Sequence, residues 1–192
     1  MKAELSDHLE EMDHEISGLE LQISYKGYRV DGDNGIKKVV CLNHRKSVDY
    51  FYIKNDKCLF IEFTDEARGQ EDLIGLDDSI SQVASEFHLG KLRKLIKNDK
   101  RDEMLAKFKD SRDIFSKIPD YFQNIPTAFL SQDAKTFYIV HIPINESLSE
   151  ENKAAIARYM TGLSARISGC LEDEICERVK LVLLADFINE LG

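Results

Sequence analysis

Residues 48–65 read Val-Asp-Tyr-Phe-Tyr-Ile-Lys-Asn-Asp-Lys-Cys-Leu-Phe-Ile-Glu-Phe-Thr-Asp, and no other stretch constrains the fold as strongly. Two apolar runs flank a short polar break at Asn55-Asp56, the pattern of two β-strands closed by a tight turn. A two-residue turn fixes the register. It sets Lys54 opposite Lys57, Ile53 opposite Cys58, Phe51 opposite Phe60 and Asp49 opposite Glu62. Opposed residues in an antiparallel pair have Cβ atoms roughly 4.5–5.5 Å apart. The two acids of this hairpin are therefore expected side by side on one face. A slip of one residue would send them to opposite faces.

A carboxylate inside an apolar strand is costly unless something pairs with it, and two opposed carboxylates repel. A structure that keeps both needs a cation, a raised pKa or solvent at the sheet end. Two acids brought together in this way are what a divalent metal site requires. The competing structural reading has Asp49 ending a strand and Glu62 paired with a cation from the Asn43-His44-Arg45-Lys46-Ser47 stretch.

Around the hairpin, Leu5, Leu9, Met12 and Ile16 recur at helical spacing and predict a helix over ~4–17. Alternation from Leu19 to Tyr25 predicts a strand, as does the run Ile36 to Leu42, with a turn at Asp31–Gly35 between them. Helices are expected over ~76–97 and ~100–117, the second ending before Pro119. Thr136–Ile144 reads as a strand. Ser147-Leu-Ser-Glu150 has capping-box spacing and opens a helix to about Ile167, and Arg178–Phe187 is a last strand. The order is α-β-β-β-β-α-α-β-α-β. It describes an α/β fold bordering on α+β, one domain over residues 1–192, with a central mixed sheet flanked by helices.

In that setting the hairpin resembles the core of the restriction-endonuclease-like, PD-(D/E)xK nuclease superfamily. The residues that carry the likeness are Asp49 early in one strand, the tight turn, and Cys58-Leu-Phe-Ile61 leading into Glu62-Phe63-Thr64. The resemblance implies a Mg²⁺- or Mn²⁺-dependent phosphodiesterase acting on nucleic acid. It makes Asp49 and Glu62 metal ligands, with the backbone carbonyl of Phe63 beside them. A glutamate of the first helix would join, from Glu10, Glu11 and Glu15. The catalytic set carried over is Asp49, Glu62 and Thr64, the last standing where the family has lysine. Thr carries no positive charge, so a cation is sought elsewhere, at Arg68, Lys91 or Lys94.

The formal charge is −9, opposite in sign to a protein that grips nucleic acid by charge alone. Basic residues nevertheless crowd one segment, Lys91, Arg93, Lys94, Lys97, Lys100, Arg101, Lys107 and Lys109. Lys91, Arg93, Lys94 and Lys97 are the expected nucleic-acid contacts, against the simpler reading of a solvated helix face. The alternative function is a catalytically inactive nuclease-fold module that binds nucleic acid or a protein partner; an acidic inhibitor of a basic partner ranks lower. No apolar run reaches the length of a membrane span, so no membrane association is expected. Acids rather than an apolar segment follow Met1, and a cytoplasmic location is the expectation. Cys41, Cys58, Cys170 and Cys176 lack Cys-x-x-Cys spacing. His141, inside an apolar strand, is expected as a satisfied core residue.

Overall fold

The computed structural model describes residues 2–14, 16, 19–72, 86–173 and 175–192, with residues 86–97 described by backbone alone. Among the described residues eight strands form, β1 (Ala3–Glu4), β2 (Leu9–Glu11), β3 (Lys26–Arg29), β4 (Tyr50–Lys54), β5 (Lys57–Thr64), β6 (Phe122–Gln123), β7 (Lys135–His141) and β8 (Cys176–Leu183). The helices are α1 (Ile36–Val39), α2 (residues 66–72), α3 (Glu86–Tyr121), α4 (Glu150–Ser168) and α5 (Leu184–Leu191). Six strands make one mixed sheet in the order β2-β3-β4-β5-β7-β8. The meander β2-β3-β4-β5 is antiparallel; β5-β7 and β7-β8 are parallel. The expected mixed sheet flanked by helices is present. β1 and β6 pair separately.

Strand alternation splits the sheet into two apolar faces. Phe51, Phe60, Phe137 and Ile139 point to one side, where Met104, Phe108, Phe115 and Ile118 of α3 and Ile156, Leu163 and Ile167 of α4 cover them. Tyr50, Ile61, Phe63 and Val140 point to the other, against Leu184, Phe187 and Leu191 of α5 together with Met12 and Ile23. A sheet covered on both faces has strands that read as continuous apolar runs, as β5 and β7 do.

The central hairpin folds as its turn dictates. Asn55 and Asp56 take positive φ, 50° and 59°, as a type I′ turn requires. The ladder pairs Lys54 with Lys57, Ile53 with Cys58, Phe51 with Phe60 and Tyr50 with Ile61.

Elsewhere the local pattern misleads. No helix spans 4–17 among the described residues. Leu9 is 38% exposed, so the apolar residues do not form one stripe, and the backbone of β2 pairs with β3 instead. The strand expected over 19–25 lies one element later, at Lys26–Arg29. Ile36 to Leu42 is α1 and its exit. Ile36 and Val40 bury together one helical turn apart, and Cys41, exposed and with φ of 60°, ends it. The break expected near residue 98 is absent; α3 runs through Asn98-Asp99, while 76–85 of the expected helix lies outside the described residues. Pro119 sits in the last turn of α3 rather than beyond it; its missing N–H takes one bond from the ladder, and the helix ends two residues later, at Tyr121. The cap of α4 is Ser149, whose hydroxyl accepts from Asn152 N, while Ser147 bonds Asn145. β8 ends at Leu183, and residues 184–191 turn back as α5.

Candidate functional site

Asp49 is the residue before β4, one step beyond the Tyr50–Ile61 pair. Its N–H donates to Ile61 O at 3.0 Å, its carbonyl accepts from Val30 N at 2.9 Å, and Oδ2 accepts from Phe63 N at 2.7 Å. The Asp49 carboxylate is thus fixed across the hairpin, beside the Glu62 side chain. Glu62 itself is 2% exposed. Its Oε1 accepts from Lys107 Nζ, and its Oε2 is buried with no hydrogen-bond partner among the described residues. Burial first, then the Asp49 charge, pushes the Glu62 carboxyl well above the usual glutamate range, against the pull of Lys107. Burial lowers the Lys107 ammonium pKa, but Glu62, Asp49 and Glu103 outweigh it and leave the pKa raised.

Helix α3 organises this corner. Lys107 meets Glu62. One turn on, Asp110 accepts from Arg45 Nη1 and Lys46 N, both at 3.0 Å, and Ser111 Oγ accepts from Val48 N at 2.8 Å. Positions 107, 110 and 111 share one helix face. A single stretch of helix therefore touches one acid directly and holds the segment that carries the other. Ser111→Ala leaves the Val48 N–H buried without its acceptor, at a cost of about 1–3 kcal/mol. Chemical denaturation should show that loss, and an unchanged midpoint would mean the bond contributes nothing.

The acids open into a cleft of about 420 Å³ lined by Asp13, Asp31, Asp49, Glu62, Asp65 and Glu103 against the cations Arg29, Lys100 and Lys107. This excess of carboxylates repels a bare phosphate and favours a cation. A hard divalent ion fits the donors: it takes oxygen ligands, and Mg²⁺ binds through one or two carboxylates while keeping waters. The unpartnered Glu62 Oε2 is the buried oxygen such an ion would satisfy. Among the described residues, no group of three or more His, Cys, Asp or Glu is arranged to hold a metal, so any ion here rests on two carboxylates.

The expected site residues fall into three groups. Asp49, Glu62, Phe63 and Thr64 are together at the cleft. The Phe63 N–H is spent on Asp49, and the Thr64 hydroxyl accepts from Glu66 N at 3.2 Å, at the start of α2. Lys91, Arg93, Lys94 and Lys97 lie on α3, with their side chains outside the described residues. Of the glutamates sought on a first helix, Glu10 is on β2, bonded to Arg29 at 2.9 Å and Tyr50 OH at 3.1 Å. Glu11 is exposed, and Glu15 lies outside the described residues. Arg68 is absent from the cleft lining. The partner of Glu62 is Lys107 rather than a cation from residues 43–47; Arg45 pairs with Asp110 and Asp113. His44 is exposed, and His141 is half-buried, bonded to Ile142 O at 2.8 Å.

Sequence reasoning missed Lys107 as the cation, and with it Lys100. Their spacing was the available signal. Lys100, Glu103, Met104 and Lys107 stand at i, i+3, i+4 and i+7, and all line the cleft. No protein-family model, curated protein or solved structure matches this chain. Among the described residues, no helix is long and apolar enough to cross a membrane.

Proposed function

We propose that this chain is a Mg²⁺- or Mn²⁺-dependent phosphodiesterase acting on nucleic acid, on a restriction-endonuclease-like core. Asp49 and Glu62 are its metal ligands, and Lys107 takes the part of the motif lysine. The observation that carries the reading is the Glu62 carboxylate, buried beside Asp49, with one oxygen on Lys107 and the other unpartnered. The order of the sheet supports it too, with the acids on an antiparallel hairpin whose second strand continues into parallel neighbours. The site lies at the carboxyl end of β5, where open sheets with parallel strands commonly bind ligands.

A divalent ion held by Asp49 and Glu62 supplies Lewis acidity toward a phosphoryl oxygen and lowers the pKa of water. The chain's own residues do the rest. The bond from Phe63 N holds the Asp49 carboxylate in a single orientation. The Lys107 ammonium, raised in pKa and so protonated at neutral pH, offsets one of the two acid charges and presents positive charge to a phosphate. Thr64 keeps its place in the motif while its hydroxyl starts α2.

A second reading, the same fold acting as a binding module without catalysis, is favoured by one observation. Lys107 is already engaged by Glu62, so the corner is partly neutralised without a metal. Calorimetric titration of the chain with Mn²⁺, followed by incubation of plasmid, single-stranded DNA and RNA with Mn²⁺ or Mg²⁺, separates the two. Binding with cleavage is expected. Binding without cleavage transfers the conclusion to the module, and no binding removes the metal site altogether.

A further inference from the structure

The cleft holds a second lysine whose setting the proposed chemistry does not use. Lys100 lies two turns before Lys107 on the same face of α3 and lines the same cleft. Its side chain is 39% exposed, and Nζ stands 3.6 Å from Glu66 Oε2 and 3.4 Å from Glu103 Oε2. Both contacts exceed the roughly 2.7–2.9 Å of a tight charge-assisted bond, so the ammonium is steered more than clamped.

The carboxylate behind it is unusual. Glu66 is 5% exposed at its side chain. Its Oε1 accepts from Gln70 Nε2 and from Tyr159 OH, each at 2.9 Å. Donors from α2, α4 and α3 thus converge on one buried acid. A surface lysine needs no such seat for solubility. The network fixes where the ammonium stands while leaving part of it open to the cleft.

We infer that Lys100 is a second phosphate contact, positioned by the Glu66–Gln70–Tyr159 network, and that the substrate is a strand carrying several phosphates rather than a single phosphodiester. This rests on the phosphodiesterase reading above. Seven residues of helix separate the Lys100 and Lys107 Cα atoms by about 10 Å, too far for one phosphate and comparable with about three nucleotides of B-form rise. Lys107 then serves the phosphate at the metal, and Lys100 one further along the strand. The acidic lining explains why a seated cation is needed there: among six carboxylates, a phosphate away from the metal has few positive partners. Glu66 acts through Lys100 and is a positioning residue.

The test is binding of a fluorescein-labelled single-stranded 20-mer, read by anisotropy in Ca²⁺ across a salt series. Lys100→Ala should weaken binding about tenfold and flatten the slope of log K against log salt by about one unit. Lys100→Arg should restore the slope. Glu66→Gln keeps the lysine charge but loosens its seat, so it should weaken binding less than Lys100→Ala and flatten the slope by less than one unit, whereas a purely structural defect would lower binding at every salt and leave the slope unchanged. Lys100→Gln, read the same way, covers the case in which the alanine variant folds poorly. Wild-type binding that Lys100→Ala and Lys100→Gln leave intact overturns this inference while the phosphodiesterase reading stands. A wild-type chain that does not bind the strand at all overturns both.

Discussion

Glu62→Gln should abolish divalent-ion binding and slow cleavage by about a thousandfold or more. A metal acting as Lewis acid supplies several kcal/mol of transition-state stabilisation, and each 1.36 kcal/mol is a factor of ten. Gln keeps the shape of the side chain and removes the charge that holds the ion. The same variant should behave differently in thermal unfolding with chelator present. The Glu62 carboxyl is raised by burial and by Asp49, so the folded chain holds this proton more tightly than the unfolded one. Stability from such a group is complete below its unfolded pKa and is lost as pH rises through its folded pKa. Gln does not titrate. The melting temperature of the variant relative to wild type should therefore climb as pH rises above the ordinary glutamate range. Lys107 is not stranded by the change, because Asp49 and Glu103 also act on it. A variant that loses relative stability as pH rises, or that still binds Mn²⁺, contradicts the assignment of Glu62.

Lys107→Met should be the most damaging change on α3. Its side chain is 21% exposed and meets a carboxylate that is almost fully buried. Breaking a buried ion pair from one side costs about 3–5 kcal/mol; the partial exposure of the lysine brings this to about 2–4 kcal/mol. For a chain of this size that is a fall in melting temperature on the order of 10 °C. The loss should shrink on acidification. Without the lysine, Glu62 faces Asp49 uncompensated, its pKa rises further, and below that pKa a proton does what the ammonium did. Lys107 itself, raised above a lysine's ordinary value, stays charged across this range and adds no slope of its own. Cleavage should drop on the order of 10²–10³-fold, the usual result of removing one charge-stabilising donor. Lys107→Arg keeps the charge and should retain part of the rate. A destabilisation that does not change with pH would show that the lysine only packs. Undiminished cleavage would remove it from the chemistry.

The hairpin was readable from residues alone because its rule is local. Asn55-Asp56 sets the turn, the turn sets the register, and the register leads to Asp49 beside Glu62. Lys107 obeys no such rule. It stands 45 residues from Glu62, and nothing in a strand pattern says which turn of a later helix will dock there. The candidates Arg68, Lys91 and Lys94 were nearer in sequence; Arg68 is not among the cleft-lining residues, and the side chains of Lys91 and Lys94 lie outside the described residues. The N-terminal segment failed for another reason. Spacing of three and four residues among Leu5, Leu9, Met12 and Ile16 fits a helix, yet pairing with β3 satisfies the backbone of 9–11 while Leu9 stays partly in water. Short apolar runs such as Ile36–Val40 suit a strand or one turn of helix equally, and tertiary burial decides.

The pair of acids also bears on how the chain assembles. The hairpin contact between Phe63 N and Asp49 spans 14 residues, and the contact from Lys107 to Glu62 spans 45. Shorter loops close at lower entropic cost. Any partly folded chain that has the hairpin without docked α3 therefore opposes two carboxylates with no ammonium between them. Such a state is penalised by its own charges, while either half-formed element gains when the other arrives. The arrangement that readies the cleft for a cation thus also discourages intermediates, binding sheet and helix into one cooperative event.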